Sequence, residues 1–339
     1  MSCAISCLGI ESTAHTFGVG VSTSRGEILA NENKSYVPTE GGIHPREAAQ
    51  QHSAVAVDVL SSALRVSGIE PASLDVIAFS QGPGLGPCLR TGATVARVLS
   101  LLLGRPLVGV NHSLAHIEIG RLICSCQDPL TLYVSGGNTM IAAFEGGRYR
   151  VFGETLDISA NNCLDSFAIQ AGLGFPANVK VHPVEQKATK GGKLLDIPYI
   201  VKGMDVSFSG ILTASIKLLS QGKDPEDVCF TLVEVVYGML TEVTERALAH
   251  TEKKEVLLTG GGARSERLQR SLRQICQTHG ASLHVVPPQY AGDNGAMISW
   301  NGLLHYRHGD TIEVAESVVK PRMRIEEVEA TWREGSPHH

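Results

Sequence analysis

Short apolar runs alternate with longer stretches of helical period, and this alternation predicts the elements of the chain. Residues 4–10, 17–22 and 26–34 read as three strands, the third following the turn at Ser24-Arg-Gly26. Residues 44–66 have helical period, with Ala49, Val55, Val59, Leu60 and Leu64 on the inner face. A strand at 75–79 enters Ser80-Gln-Gly-Pro-Gly-Leu-Gly-Pro87, whose glycines and prolines predict a loop without regular structure. A helix at 90–103 and a buried strand at 106–110 follow, and Asn111 can then cap a helix carrying His112 and His116. A second round opens with strands at 130–134, 139–144 and 148–152. Helices at 161–171, 209–219 (from a serine cap) and 225–250 come next. They are succeeded by a strand at 255–258, a helix at 264–279 and a strand at 283–286. Gly292-Asp-Asn-Gly295 opens a last helix to His308. Two rounds of strands followed by helices predict a duplicated α/β fold with a central cleft. The expected division is 1–128, 129–310 and a tail at 311–339.

Composition narrows the class. With 339 residues, 43% hydrophobic and 36 of them glycine, the chain suits a globular α/β protein of one large or two medium domains. A net charge of −5 argues against a chain that grips nucleic acid alone through a basic face. Lys187, Lys190, Lys193 and Lys202 gather locally and read as a solvated face. Eight cysteines form no CxxC pair, and Cys124-Ser-Cys126 stands alone, so reduced thiols are expected. The N-terminus lacks a basic flank and a long apolar core, and no apolar run reaches roughly 18 residues, so neither a signal peptide nor a membrane span is expected. The expected location is the cytoplasm, with the nucleus also open.

The candidate chemistry starts at His112 and His116. Four residues apart on one helical face, two imidazoles can hold one divalent cation if a third ligand arrives from elsewhere; on spacing alone, a capped helix with two half-buried histidines is the favoured account. Two glycine turns, Val134-Ser-Gly-Gly-Asn138 and Leu258-Thr-Gly-Gly-Gly262, each follow a predicted strand, and glycine lets a backbone approach phosphate or sugar closely. Neither is a Walker A loop or a G-x-G-x-x-G fingerprint. With Asp293 at a helix start, these features suggest a nucleotide cleft near a metal.

Seven segments share one pattern: Gly9-Ile-Glu-Ser-Thr-Ala-His-Thr16, the histidine stretch, Leu132-Tyr-Val-Ser-Gly-Gly-Asn-Thr139, Phe152-Gly-Glu-Thr-Leu-Asp-Ile158, Asn162-Cys-Leu-Asp-Ser-Phe-Ala168, Val201-Lys-Gly-Met-Asp-Val-Ser-Phe-Ser-Gly210 and Gly292-Asp-Asn-Gly-Ala-Met-Ile298. In this order they resemble the universal tRNA threonylcarbamoyl transferase family, once labelled sialoglycoprotein endopeptidases. The resemblance is nearest to the archaeal and eukaryotic branch, the catalytic subunit of the KEOPS complex. It runs from about residue 5 to 333 and includes Val328-Glu-Ala-Thr-Trp332.

The resemblance implies duplicated actin/sugar-kinase-like (RNase H-like) halves. It implies transfer of a threonylcarbamoyl group from threonylcarbamoyl-AMP to N6 of the adenosine 3′ of the anticodon in ANN-decoding tRNAs. Carried over by motif, the metal ligands are His112, His116, Asp293 and Tyr133. The donor set suits iron or zinc, with magnesium after them. The resemblance also implies an adenylate lying against Tyr133, Val134, Ser135, Gly136 and Gly137, with Asp165 and Glu185 holding ribose hydroxyls. Each has a plainer reading: Asp165 a helix-face charge, Glu185 a solvated residue, Asp293 a helix cap, Tyr133 a core residue. Glu11 and His15, at a strand end, are the candidates for a general base, and a turn-stabilising role fits them as well. The implied partners are tRNA and the other KEOPS subunits: a small kinase/ATPase, a small dimerising subunit and accessory proteins.

The chain departs from the family pattern in places. No glycine follows Gly174 before Pro183, where Asn178 or Val181 takes the place of a glycine turn; Ser265 stands for the family asparagine, and Ala160-Asn-Asn162 replaces a small-Gly-Asn triplet. These changes raise the alternative of a weakly active member acting as a scaffold. A metalloprotease needs H-E-x-x-H, whereas Ser113 follows His112. An actin-like small-molecule kinase is the remaining alternative.

Overall fold

The computed structural model describes residues 4–38, 42–174, 181–188 and 192–333. Three strands open the chain, β1 (Ser6–Glu11), β2 (Thr16–Thr23) and β3 (Ile28–Ser35), and α1 (Pro45–Ser67) follows. Then come β4 (Val76–Gly82), α2 (Gly86–Leu103), β5 (Leu107–Asn111) and α3 (His112–Cys124). The second round comprises β6 (Leu130–Val134), β7 (Thr139–Glu145), β8 (Arg148–Glu154), α4 (Ala160–Gln170) and α5 (Pro183–Ala188). A two-residue hairpin, β9 (Val201–Lys202) and β10 (Asp205–Val206), leads to α6 (Ser209–Ser220) and α7 (Pro225–Thr251). The rest is β11 (Glu255–Thr259), α8 (Glu266–Thr278), β12 (Ser282–Val285), α9 (Pro288–Ala291) and α10 (Gly295–Arg307).

The chain divides into two compact units. One holds the residues up to 123, 145–149 and those from 293 onward; the other holds 124–144 and 150–292. Each has a five-stranded sheet, ordered β3-β2-β1-β4-β5 in the first and β8-β7-β6-β11-β12 in the second. In both, the opening strand pairs antiparallel with the next and parallel with a strand that follows a helix. The duplication read from the pattern of runs is therefore present in the topology.

In the first unit Leu8, Ile10, Phe17, Val19, Val21, Ile77 and Phe79 form the buried centre, with α1 against it. The inner face of α1 is Ala48, His52, Ala56, Val59 and Ala63, while Val55, Leu60 and Leu64 pack at its margin. The expected face is thus rotated toward small side chains, which let the helix sit close to the sheet. α10 packs on β1 and β2 almost backbone to backbone. A Cβ on Gly20 would lie 2.2 Å from the amide nitrogen of Ala296, so no other residue fits there. The chain beyond α10 stays with this unit: Ile312 donates its N–H to Leu107 (2.9 Å), and Trp332 Nε1 donates to buried Glu118 (3.0 Å).

Two local expectations change. The 80–87 segment is not irregular throughout, because β4 runs to Gly82 and α2 starts at Gly86. Ladder bonds to β5 carry the strand past a bulge, and Pro87 occupies the first turn of α2, where its missing N–H costs nothing. Nor does a serine cap α6. Its N-cap is Phe208, with no capping side-chain bond. Asp157 serves from outside, accepting the N–H groups of Phe208 (2.8 Å) and Ser209 (3.1 Å) and the hydroxyls of Ser207 and Ser209.

Candidate functional site

In the first unit, three elements meet at a group of charged side chains. Asn111 accepts the N–H of Leu114 (3.1 Å) and so caps α3, which sets His112 and His116 at the start of that helix. Their rings lie edge to face, centroids 4.8 Å apart. Asn294 caps α10 by accepting from Met297 N–H (3.0 Å), and this delivers Asp293, which immediately precedes it. Asp293 Oδ1 lies 3.3 Å from His116 Nε2 and 3.5 Å from His112 Nε2. One ligand atom from each of His112, His116 and Asp293 falls within 4.8 Å of the others. Two imidazoles and a carboxylate so placed can hold one divalent cation and leave coordination positions open.

The end of β1 braces this group. Glu11 is fully buried, and its Oε2 lies 3.0 Å from His112 Nδ1. Its Oε1 accepts both the N–H (2.7 Å) and the hydroxyl (2.5 Å) of Thr13. Burial alone would lower the His112 pKa, but the carboxylates of Glu11 and Asp293 outweigh it and push it up to about 9. Burial does depress His116, against a partial offset from Asp293. Burial would raise Asp293, yet the imidazoles hold it well below the usual carboxylate range. His15 is more open, its side chain 45% exposed, with Nδ1 4.0 Å from Asp293 Oδ2. The structure thus gathers Glu11, His15, His112, His116 and Asp293.

Tyr133 belongs to the second unit, a buried residue of β6 beside β11 and β7. Past it, Val134 to Asn138 turns tightly: Ser135 N–H reaches the Asn138 carbonyl (2.8 Å), and the Ser159 hydroxyl donates to the Gly136 carbonyl (2.7 Å). Gly136 and Gly137 are exposed at the tip. The second glycine turn packs under the first. Gly260 has φ +86°, and a Cβ there would meet the Val134 carbonyl oxygen at 2.3 Å.

Asp165 and Glu185 lie on neighbouring α4 and α5. Glu185 is half-buried rather than solvated; it accepts from Tyr237 Oη (2.5 Å) and Ser265 Oγ (2.8 Å). Burial, then the Glu185 charge, pushes the Tyr237 hydroxyl well above its ordinary pKa. Ser265, in place of the family asparagine, also caps α8 by accepting from Leu268 N–H (3.2 Å). Asp165 meets His182, whose Nε2 lies 3.0 Å from Asp165 Oδ1. Of the two positions named for the lost glycine turn, Asn178 lies outside the described residues, and Val181 is 51% exposed.

Thr13, His182 and Tyr237 escape the sequence reading. Thr13 lies two residues past Glu11 inside a quoted motif, which was a usable signal; His182 and Tyr237 reach their partners across 17 and 52 positions, which no local pattern reports.

The paired sheets define the class, and comparison with known structures agrees. The fold matches T. kodakarensis HypF with TM-score 0.63 at 14% identity, over 90% of this chain and 48% of that one. It matches the ROK hexokinase of Thermus thermophilus with TM-score 0.51 at 14% identity, over 90% of this chain and all of that one. This is the actin/sugar-kinase-like fold. The family model for tRNA N6-adenosine threonylcarbamoyltransferase matches residues 27–300. A protein of that name from Thermofilum pendens is 55% identical over 331 residues, 97% of this chain and 98% of the relative. The chain belongs to the tRNA N6-adenosine threonylcarbamoyltransferase family.

Proposed function

We propose that this chain transfers a threonylcarbamoyl group from threonylcarbamoyl-AMP to N6 of the adenosine 3′ of the anticodon in ANN-decoding tRNAs, as the catalytic subunit of a KEOPS complex. Given the family, the observation that carries this is the His112–His116–Asp293 group braced by buried Glu11. A divalent ion there, iron or zinc by donor chemistry and magnesium after them, would supply Lewis acidity toward the donor's carboxylate or carbonyl.

The chain's own residues do the rest. The 134–138 turn offers backbone to the adenylate phosphate, and Asp165 and Glu185 accept ribose hydroxyls. The N6 amine attacks the carbamoyl carbon, the carbon–oxygen bond to phosphate breaks, and AMP leaves with the electron pair while the amine gives up a proton. Glu11 is enclosed and engaged by Thr13 and His112, so it orients rather than accepts that proton; His15, reaching solvent, is the candidate base. A weak nucleophile and a good leaving group make positioning the larger share of the acceleration. The −5 chain leaves part of the tRNA grip to basic surfaces on the kinase, dimerising and accessory subunits, in the cytoplasm.

The test is a transfer assay with the assembled complex, donor labelled in the threonyl group and unmodified tRNA. Label should reach tRNA with wild type and vanish with His112→Ala. Wild type that assembles and holds metal but transfers nothing would replace this reading with a scaffold.

A further inference from the structure

We infer that His182 is a positioning residue for the donor nucleotide, holding Asp165 so that one carboxylate oxygen stays free for a ribose hydroxyl. This rests on the reading above that Asp165 meets the ribose. The ring of His182 is fixed at both nitrogens. Nδ1 accepts the N–H of Val184 (3.2 Å), which leaves the proton of the neutral ring on Nε2, and Nε2 donates to Asp165 Oδ1 (3.0 Å). Without that bond, a half-exposed aspartate on a helix face samples several rotamers and loses freedom on binding. With it, Oδ1 is engaged and Oδ2 is presented in one direction.

The same segment lacks the glycine turn through which a backbone could meet the sugar. Among the described residues of that stretch, His182 touches Asp165. A purely structural role is the alternative, since the His182 side chain also caps α5: its Nδ1 accepts the N–H of Val184 (3.2 Å). The two roles separate by what the substitution changes. Loss of a cap weakens binding of every nucleotide alike; loss of positioning affects only ligands with ribose hydroxyls.

The experiment is calorimetric titration of the purified chain with AMP and with 2′,3′-dideoxy-AMP. Wild type should prefer AMP by about tenfold, the scale of one hydrogen bond to a charged group. His182→Ala should weaken AMP by about fivefold and leave the dideoxy nucleotide unchanged; His182→Gln, which keeps an N–H donor, should recover part of the preference. Equal loss for both nucleotides, or an unchanged ratio in His182→Ala while Asp165→Ala lowers it, overturns the inference alone. An unchanged ratio in Asp165→Ala overturns the ribose reading and this inference with it.

Discussion

The two sheets share a strand order yet carry different devices at corresponding ends. In the first, β1 ends on Glu11, α3 follows β5 at once with His112, and the side chains of His112, His116 and Asp293 are buried or nearly so; Asp293 is 13% exposed. In the second, β6 and β11 run into glycine turns; the first exposes Gly136 and Gly137, and the second packs under it. The same topology thus carries side-chain groups in one unit and an exposed glycine backbone in the other. Residue type at the strand ends decides which ligand chemistry a given place in the fold can serve. Buried side-chain donors must be paired, hence the Glu11–Thr13 brace; a backbone turn needs no such brace, but needs glycine where neighbours crowd.

Four substitutions sharpen this contrast. The largest effect should follow His112→Ala, which removes a ligand and should reduce divalent-metal affinity by more than about 100-fold, beyond what loss of an orienting partner costs; a metal titration by calorimetry reads it, and retained affinity would move the metal elsewhere. Glu11→Gln should weaken metal by about 10–100-fold, because the His112 ring loses the charge that fixes it. If metal affinity stays at the wild-type value, the brace serves folding only.

In the second unit the cost should appear as stability. Gly260→Ala forces a side chain into a left-handed conformation against Val134 and should cost about 1–3 kcal/mol. Chemical denaturation with an unchanged midpoint would show that the turn can rearrange. The smallest effect is expected at Asp157, whose remote cap on α6 should be worth about 1 kcal/mol. Its slight burial favours the neutral form, but the Ser207 and Ser209 hydroxyls and the Phe208 and Ser209 N–H groups outweigh this and hold the carboxyl well below the ordinary range. A depressed carboxyl stabilises the fold above its unfolded pKa, about 3.9, and loses that contribution as pH falls further. The gap between wild type and Asp157→Asn should therefore be full at pH 7 and shrink below about pH 4; a gap independent of pH would assign the stabilisation to shape rather than charge.

Much was legible beforehand. The strand at 130–134 was read with its observed ends, and Asn111 caps α3 as its position after an apolar run indicated. The i, i+4 histidines lie within one helix, so local geometry alone put them together. The capping of α6 is not legible locally, because its acceptor, Asp157, lies about fifty residues upstream. The shift in the face of α1 has a similar cause: period locates a stripe, but the contour of the opposing sheet selects which flank is buried.

By itself the sequence determined what depends on neighbours along the chain: element type, the repeated round of strands and helices, the family motifs and the histidine pair. Tertiary structure alone decided what depends on distant segments meeting. Asp293 reaches the histidines across 177 positions because glycines in β1 and β2 let α10 lie against the sheet. Glu11 and Thr13 are joined to His112 because β1 lies at the centre of its sheet, beside β4, which in turn pairs with β5. Periodicity encodes which face of an element is apolar; it carries no record of which residues another element will bring to that face.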